Sequence, residues 1–179
     1  MMSVRDWRTP EPINLPKATV YDLAENVARQ VGYLPGANLH PVVENLCGEI
    51  VFQDFWSLES TNNGSIEIYN EGNFRIFIPN FVALARNRFT IAHELGHFFL
   101  HYYFQGGREK QWNLRASRYT DMETDRPEWE ANWFAAAFLM PSNDFRRAWL
   151  DYRDLDLVAH KFGVSSSAAG LHAQYHQLN

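Results

Sequence analysis

The stretch FTIAHELGHFFLH, residues 89–101, holds three of the seven histidines in the chain. His93 and His97 are four residues apart, so in a helix they lie on one face, one turn from each other. Their imidazoles can then bind one ion, because Zn–N bonds of about 2.0–2.1 Å suit that separation. Glu94 lies about 100° further round the helix, where its carboxylate can accept a proton from an attacking water. The stretch therefore predicts a helix with a zinc site, with Glu94 as its general base.

The third zinc ligand has to come from another part of the chain, since a catalytic zinc usually has three protein ligands and one open position. Leu100 and Tyr103 stand where the H-E-x-x-H-x-x-G-x-x-H pattern has glycine and histidine, so that pattern is excluded. A carboxylate from the helical stretch EWEANWFAAAFLM, residues 128–140, is the alternative. Glu128 and Glu130 both open this stretch, and spacing alone does not choose between them.

The composition favours one globular domain. The chain has 179 residues, 46% of them hydrophobic, which suits one core and is too few for two. A net charge of -5 argues against a main role in coating nucleic acid or an anionic membrane. The chain shows neither a signal peptide nor an apolar run of about 20 residues, and Cys47 is its single cysteine. We therefore expect a cytoplasmic protein without direct nucleic-acid or membrane partners.

The order of the expected elements is helices, then a small sheet, then helices, which is typical of the α+β class. SIEIYN and FRIFIP, residues 65–70 and 74–79, alternate with period two around a short glycine-containing link and predict a β-hairpin. We expect an extended arm over residues 1–18 and one domain over residues 19–179. Within this domain we expect a polar loop over 105–126 and a C-terminal helix pair over 154–178.

Two blocks of the sequence resemble a known family. RNRFTIAHELGHFFLH, residues 86–101, is followed by EWEANWFAAAFLMP, residues 128–141. In this combination, and over roughly residues 20–170, the chain resembles the ImmA/IrrE family of zinc metallopeptidases, which are gluzincin-like HExxH enzymes. The resemblance implies a zincin-like metallopeptidase fold. We expect a small, mainly antiparallel sheet packed on a helix bundle that holds the active site.

The same resemblance implies the roles of individual residues and the kind of substrate. Glu130, which directly precedes Ala-Asn, falls on the family's usual third ligand, and Glu94 falls on its general base. One Zn²⁺ per chain is implied. Family members work beside helix-turn-helix repressors in phages, mobile elements and stress responses, and they cleave or inactivate the repressor to switch on transcription. The chain departs from the family in its long charged insert, residues 105–126.

A peptidase also needs a donor for the oxyanion and a place for the substrate backbone. Peptide substrates often add a strand to an exposed sheet edge. The strand before the metal helix is our candidate for that edge, with residues Arg75, Ile76, Phe77 and Ile78. The candidates for the oxyanion donor, or for a residue that lines the cleft and supports the ligands, are His101, Tyr102, Tyr103, Arg118 and Tyr119.

Two other functions are compatible with the sequence. In the first, the protein is a non-cleaving anti-repressor or binding protein, and the zinc is structural or sensory. In the second, it is a DNA-binding regulator that uses the C-terminal helices, residues 157–179. The stretch after Gly163 has no Lys or Arg to contact phosphates, so a small packing pair of helices is the favoured interpretation there.

Overall fold

The computed structural model describes residues 6–53, 66–80, 84–116 and 125–178. None of the helices in these ranges combines the length and apolarity that a membrane span requires. The α-helices are α1 Lys17–Gln30, α2 His40–Asn45, α3 Leu84–Gly96, α4 Arg126–Leu139, α5 Ser142–Tyr152, α6 Leu155–Phe162 and α7 Ser166–Tyr175, and a π-helix, His97–Tyr103, continues α3. The strands are β1 Trp7–Arg8, β2 Gly48–Gln53, β3 Ile66–Ile68, β4 Phe74–Pro79 and β5 Asn113–Ala116.

The five strands form one mixed sheet in the order β1-β5-β3-β4-β2. β3 pairs antiparallel with β4, as the hairpin prediction requires, and antiparallel with β5. The other two pairs, β1 with β5 and β2 with β4, are parallel. The α+β class is thus confirmed, but the sheet is not mainly antiparallel. A parallel pair needs a long crossover connection, and the chain between β2 and β4 is long enough to provide one.

Strand β4 lies inside the sheet, which corrects the prediction of an exposed substrate strand there. Its residues are paired in register with β2 on one side, and from Phe74 to Ile76 with β3 on the other. Arg75 and Ile76 therefore do not form an edge, and Phe77 and Ile78 are paired with β2. Period-two alternation predicts a half-buried strand but carries no information about neighbour order. The outermost strands of the described sheet are β1 and β2.

The polar insert 105–126 is only partly a loop. Its residues Asn113–Ala116 form β5, which joins the sheet between β1 and β3. Leu114 and Ala116 are buried, whereas Asn113 and Arg115 are half-buried. This alternation spans four residues, too few to stand out from a charged segment. The oxyanion candidates Arg118 and Tyr119 follow in residues 117–124, outside the described residues.

A row of alternating charges crosses one face of the sheet. Glu49, Arg75, Glu67 and Arg115 lie at directly opposed register positions on β2, β4, β3 and β5. Arg75 Nε donates to Glu49 at 2.9 Å, and Arg115 Nη2 donates to Glu67 at 2.6 Å. Opposite charges at facing positions stabilise strand pairing. This row is the polar face of the sheet, and the other face packs on the helices.

Helix α4 packs against both α1 and α3. At the crossing with α3 the two backbones almost touch, because a Cβ on Gly96 would lie 3.0 Å from Ala131 Cα. On the sheet side, the rings of Phe74 and Phe98 pack with their centroids 4.5 Å apart. The glycine inside the HELGH sequence therefore sets the distance between α3 and α4, and with it the spacing of their facing side chains.

The C-terminal helices α6 and α7 form a packed pair. Each has a side-chain N-cap: Asp154 accepts from Leu157 N, and Ser165 accepts from Ala168 N. Gly163 ends α6 in the left-handed region, with φ +63°, and its Cα faces the Arg88 side chain of α3. Arg88 in turn donates to Ala37 O. The turn between α6 and α7 therefore lies close to the first turns of α3.

We predict that Gly163→Ala lowers the free energy of unfolding by about 1–3 kcal/mol. An L-residue in the left-handed region costs about 1–2 kcal/mol, and the new Cβ would lie 2.7 Å from Arg88 Nε. Gly170→Ala is the matched control. Gly170 lies inside α7 with a nearest neighbour at 3.5 Å, so there we expect a gain of about 0.5–1 kcal/mol. Urea denaturation of both variants measures the difference, and equal effects would contradict the prediction.

A second prediction concerns His172, which is buried in α7 with its Nε2 atom 3.1 Å from His176 Nε2. Burial, with the nearby charges of His176 and Lys17, lowers the pKa of His172 to about 3, although a backbone hydrogen bond at Met140 opposes the shift. The pKa of His176 is also lowered, by burial and by Arg146, against the influence of Glu25. The folded state thus binds fewer protons than the unfolded state between pH 3 and pH 6.5.

The contribution of these histidines to the free energy of unfolding should therefore be fully present above pH 6.5. Below this pH it should fall by up to about 1.4 kcal/mol per pH unit for each histidine. His172→Phe should flatten this slope between pH 6.5 and 5, a window above the ordinary carboxylate range. His160→Gln, at an exposed position of α6, should leave the slope unchanged. Thermal unfolding at a series of pH values measures all three proteins. The same slope in His172→Phe and wild type would contradict the assignment.

Candidate metal centre

Three side chains converge on one point. His93 Nε2, in α3, and His97 Nε2, in the first residue of the π-helix that continues it, lie 3.1 Å apart. Each is also 3.1 Å from a carboxylate oxygen of Glu128, in the first turn of α4. The structure thus brings together the two histidines predicted from the sequence and adds Glu128 to them.

The hydrogen-bond partners behind the imidazoles fix where their protons are. His93 Nδ1 lies 2.9 Å from Asn132 Oδ1, an acceptor, so this nitrogen donates and Nε2 carries a lone pair. His97 Nδ1 lies 2.9 Å from His101 Nδ1, and His101 Nε2 lies 3.1 Å from the Glu130 carboxylate. Since Glu130 only accepts, His101 Nε2 donates to it, and His97 Nδ1 donates to His101. The His97 Nε2 atom therefore also presents a lone pair.

This donor set fits a zinc ion. Two imidazole nitrogens and a carboxylate face one another at 3.1 Å, an arrangement that needs a proton or a metal cation between them. In a tetrahedral site with bonds of about 2.0–2.1 Å, neighbouring ligand atoms are about 3.3 Å apart. Nitrogen and carboxylate oxygen are ligand types that zinc accepts. Among the described residues, His93, His97 and Glu128 would hold the ion.

The protonation equilibria differ among the three groups. Burial, only partly opposed by Glu128, lowers the pKa of His97 to about 3. Burial also disfavours a charge on His93, but Glu128, Glu94 and Asn132 together raise its pKa. Burial disfavours a charge on Glu128, but the contacts with His93 and His97 outweigh burial and lower the pKa of Glu128. A neutral His97 and an ionised Glu128 are the forms in which these groups bind a metal.

Glu94 lies beside the converging side chains of His93, His97 and Glu128. It is 99% buried, and its carboxylate and the two histidines offer ligand atoms that all lie within 4.8 Å of one another. Two carboxylates, Glu94 and Glu128, are therefore close enough to act as the third ligand. We assign the ligand role to Glu128 because its oxygens make the 3.1 Å contacts with both imidazoles. Glu94, about 100° round the helix from His93, stays the predicted general base.

Glu130 is not at the converging point, which corrects its prediction as the third ligand. Two residues apart on a helix means about 200° of rotation, so Glu128 and Glu130 face opposite sides of α4. The Glu130 carboxylate accepts from His101 Nε2 and Arg126 Nε and from the backbone N–H groups of Ile13 and Asn14. Burial opposes its charge, but the hydrogen bonds from His101, Arg126 and Ile13 lower the pKa of Glu130 to about 2.

The packing of α4 on α3 distinguishes the two glutamates. The side of α4 that faces α3 is fixed by Ala131, which meets Gly96. Glu128 lies three residues before Ala131, on the same side, and Asn132 lies four residues after Glu128. One face of α4 thus supplies both the third ligand and the partner of His93. The role of Asn132 was missed because it depends on the crossing of the two helices.

The remaining candidates occupy different positions. His101 contacts His97 and Glu130. It therefore supports a candidate ligand and is not itself a further ligand. Tyr102 is fully buried, and its hydroxyl donates to Tyr69 O at 3.0 Å, on the hairpin side. Tyr103 is half exposed among the rings of Phe98, Phe99 and Phe104. For Tyr102 this hydrogen bond opposes a role as oxyanion donor.

Comparison with known proteins gives the family. A family model described as the IrrE N-terminal-like domain, Peptidase_M78, matches residues 58–173, and the chain belongs to this family. The metallopeptidase-type domain therefore includes α3, α4 and both halves of the metal centre. No curated protein matches the chain.

A solved structure shares the fold. It is described as a Mycobacterium tuberculosis transcriptional regulator, with a TM-score of 0.56 and 19% sequence identity. The match covers 85% of this chain and 45% of that one, so this chain spans less than half the length of the regulator.

We predict that Glu128→Ala weakens zinc binding far more than Glu130→Ala does. Loss of Glu128 removes a ligand, whereas loss of a partner behind a ligand typically costs about 10–100-fold in metal affinity. Competition with a chromophoric chelator measures both dissociation constants beside that of the wild type. If Glu130→Ala lost more affinity than Glu128→Ala, the ligand assignment would revert to Glu130.

Proposed function

We propose that the protein is a zinc-dependent endopeptidase that hydrolyses a peptide bond in a protein substrate. The observation that carries this proposal is the convergence of His93, His97 and Glu128 at 3.1 Å, with the Glu94 carboxylate beside them. Membership of the Peptidase_M78 family supports a peptidase function. A bound zinc would act as a Lewis acid on the scissile carbonyl and lower the pKa of the attacking water.

The roles of the protein groups follow from their positions. Glu94 takes a proton from the water while the water oxygen attacks the carbonyl carbon. It then returns a proton to the nitrogen of the scissile peptide bond as the C–N bond breaks. Glu128 lies across the helix interface and holds the two imidazoles together. Asn132 and His101 accept from the Nδ1 atoms of His93 and His97, which keeps both Nε2 lone pairs directed at the site.

The number of ligands favours catalysis over a structural zinc. Structural zinc sites are usually closed by four protein ligands, whereas catalytic sites keep one position open. In the described part of the chain, three side chains make the 3.1 Å contacts, which supports a site with one open position. The side chain of His93 is also 14% exposed, whereas that of His97 is 1% exposed. The site is thus accessible from the His93 side and closed behind His97.

For the substrate, we propose a helix-turn-helix transcriptional repressor, so that cleavage derepresses phage, mobile-element or stress-response genes. This choice rests on the resemblance of RNRFTIAHELGHFFLH and EWEANWFAAAFLMP to the ImmA/IrrE family. The Mycobacterium tuberculosis transcriptional regulator shares the fold with this chain and, at 19% identity, supports the fold alone. The proposed setting is the cytoplasm, where such repressors act.

We expect Glu94→Gln to keep zinc and to stop cleavage. An amide has nearly the shape of the carboxylate but cannot accept the proton. Metal analysis should give about one zinc per chain for both proteins, and incubation with the cognate repressor should give fragments with the wild type only. Cleavage by Glu94→Gln at the wild-type rate would remove Glu94 from the mechanism.

The same incubation separates the peptidase from a non-cleaving anti-repressor. Mass spectrometry of the repressor, after mixing with zinc-loaded wild-type protein, should show two fragments that add up to the intact mass plus one water. An intact repressor held in a stable complex would instead favour the binding protein, with zinc in a structural or sensory role.

A further inference from the structure

A chain of hydrogen bonds runs from the metal centre to the N-terminal arm, which we define as residues 6–16. It begins at His97, passes through His101 at 2.9 Å and reaches Glu130 at 3.1 Å. His101 and Glu130 are 99% and fully buried, respectively. None of the roles proposed above for catalysis uses Glu130.

The direction of every proton in this chain is determined. When His97 Nε2 binds an ion, the remaining proton of its ring is on Nδ1. His101 Nδ1 must then accept, and its proton is on Nε2, directed at Glu130. A second tautomer of His101 would place a hydrogen against the Nδ1–H of His97. The carboxylate of Glu130 therefore sets the tautomer of His101, and through it the orientation of the His97 ring.

The arm holds the other side of Glu130. Ile13 N donates to Oε2 and Asn14 N donates to Oε1, both at 2.9 Å. Asn14 itself is in the left-handed region, with φ +57°, a conformation that Asn tolerates better than most residues. Arg126 Nη2 also donates to Leu15 O at 2.6 Å, and Arg126 Nε donates to Glu130 at 2.9 Å.

The Glu130 carboxylate accepts from four donors and therefore has little freedom to rotate. These hydrogen bonds fix the orientation of the carboxylate as well as its negative charge. Removal of the arm would leave two of the four positions around a buried anion without a protein donor. Glu130 could then turn toward Arg126, away from His101. The position of His97 thus depends on backbone groups more than 80 residues earlier in the chain.

We propose that His101 and Glu130 are positioning residues for His97, and that the backbone of Ile13 and Asn14 completes this device, so that docking of the arm and binding of metal are coupled. Since it requires a metal at His97, the inference rests on the proposed function. Coupling of this kind is reciprocal: the docked arm tightens metal binding, and bound metal favours the docked arm by the same factor.

The alternative is that Glu130 and His101 only hold the fold together. In that case their loss would lower stability and leave the metal affinity of the folded protein unchanged. A matched control is available in Tyr102→Phe. Tyr102 is next to His101 on the same buried helix and also makes a buried hydrogen bond, but to Tyr69 O and outside the chain of contacts from His97.

The experiment measures the zinc dissociation constant of the full-length wild type, Glu130→Gln, His101→Phe and Tyr102→Phe by chelator competition. We expect Glu130→Gln and His101→Phe to bind zinc about 10–100-fold more weakly than the wild type, and Tyr102→Phe to bind within about twofold of it. The visible spectrum of the Co²⁺-substituted proteins should change for the first two variants and not for the third. Wild-type affinity in folded Glu130→Gln and His101→Phe would overturn the proposal.

Hydrogen exchange of the wild type provides an independent measurement if a variant does not fold. We expect saturating zinc to slow exchange at the amides of Ile13 and Asn14 by a larger factor than at Ala173, a buried residue of α7 that reports general stabilisation. Equal factors at the arm and at Ala173 would refute the coupling. A wild type that binds no zinc would instead refute the proposed function, so the two failures are distinguishable.

Discussion

The structure depends on one electrostatic constraint, the meeting of two imidazole lone pairs and a carboxylate at a single point between α3 and α4. Such a cluster is self-repulsive unless a proton or a metal cation lies within it, and the two helices are held together there by the contact of Gly96 with Ala131. The packing of α3 on α4 brings the three side chains together against this repulsion. In this sense the helix crossing is built around a cation-binding position, and the binding energy of an ion there adds to the stability of the fold.

Much of the fold could be predicted from hydrophobic periodicity. The helices α1, α3 and α4 and the β3–β4 hairpin carry patterns long enough to be recognised, and order along the chain gave the α+β class. Three features could not be predicted. β5 is four residues within a charged segment, β4 is covered by a strand from a distant part of the sequence, and α3 widens into a π-helix at His97. The last change occurs in an almost uninterrupted apolar run, where periodicity gives no signal.

The part of the candidate site that comes from one helix could be predicted from the sequence, whereas the part that α4 contributes could not. His93, His97 and Glu94 share one helical turn, so their relation follows from helix geometry alone. Glu128 and Asn132 belong to the site through the rotation of α4 about its axis, and that rotation is set by the contact at Ala131. The resemblance pointed to Glu130, which is a well-connected buried acid two positions away. A choice between two nearby glutamates needed the packing of the helices and not the spacing of the sequence.

The row of Glu49, Arg75, Glu67 and Arg115 has a consequence for association. The four charges cancel across the strands, so the row itself adds little net field at a distance. A ligand of either sign would not be drawn to it by long-range attraction. A molecule that binds this row has to complement its alternating charges at short range. Ionic strength would therefore change the association rate very little.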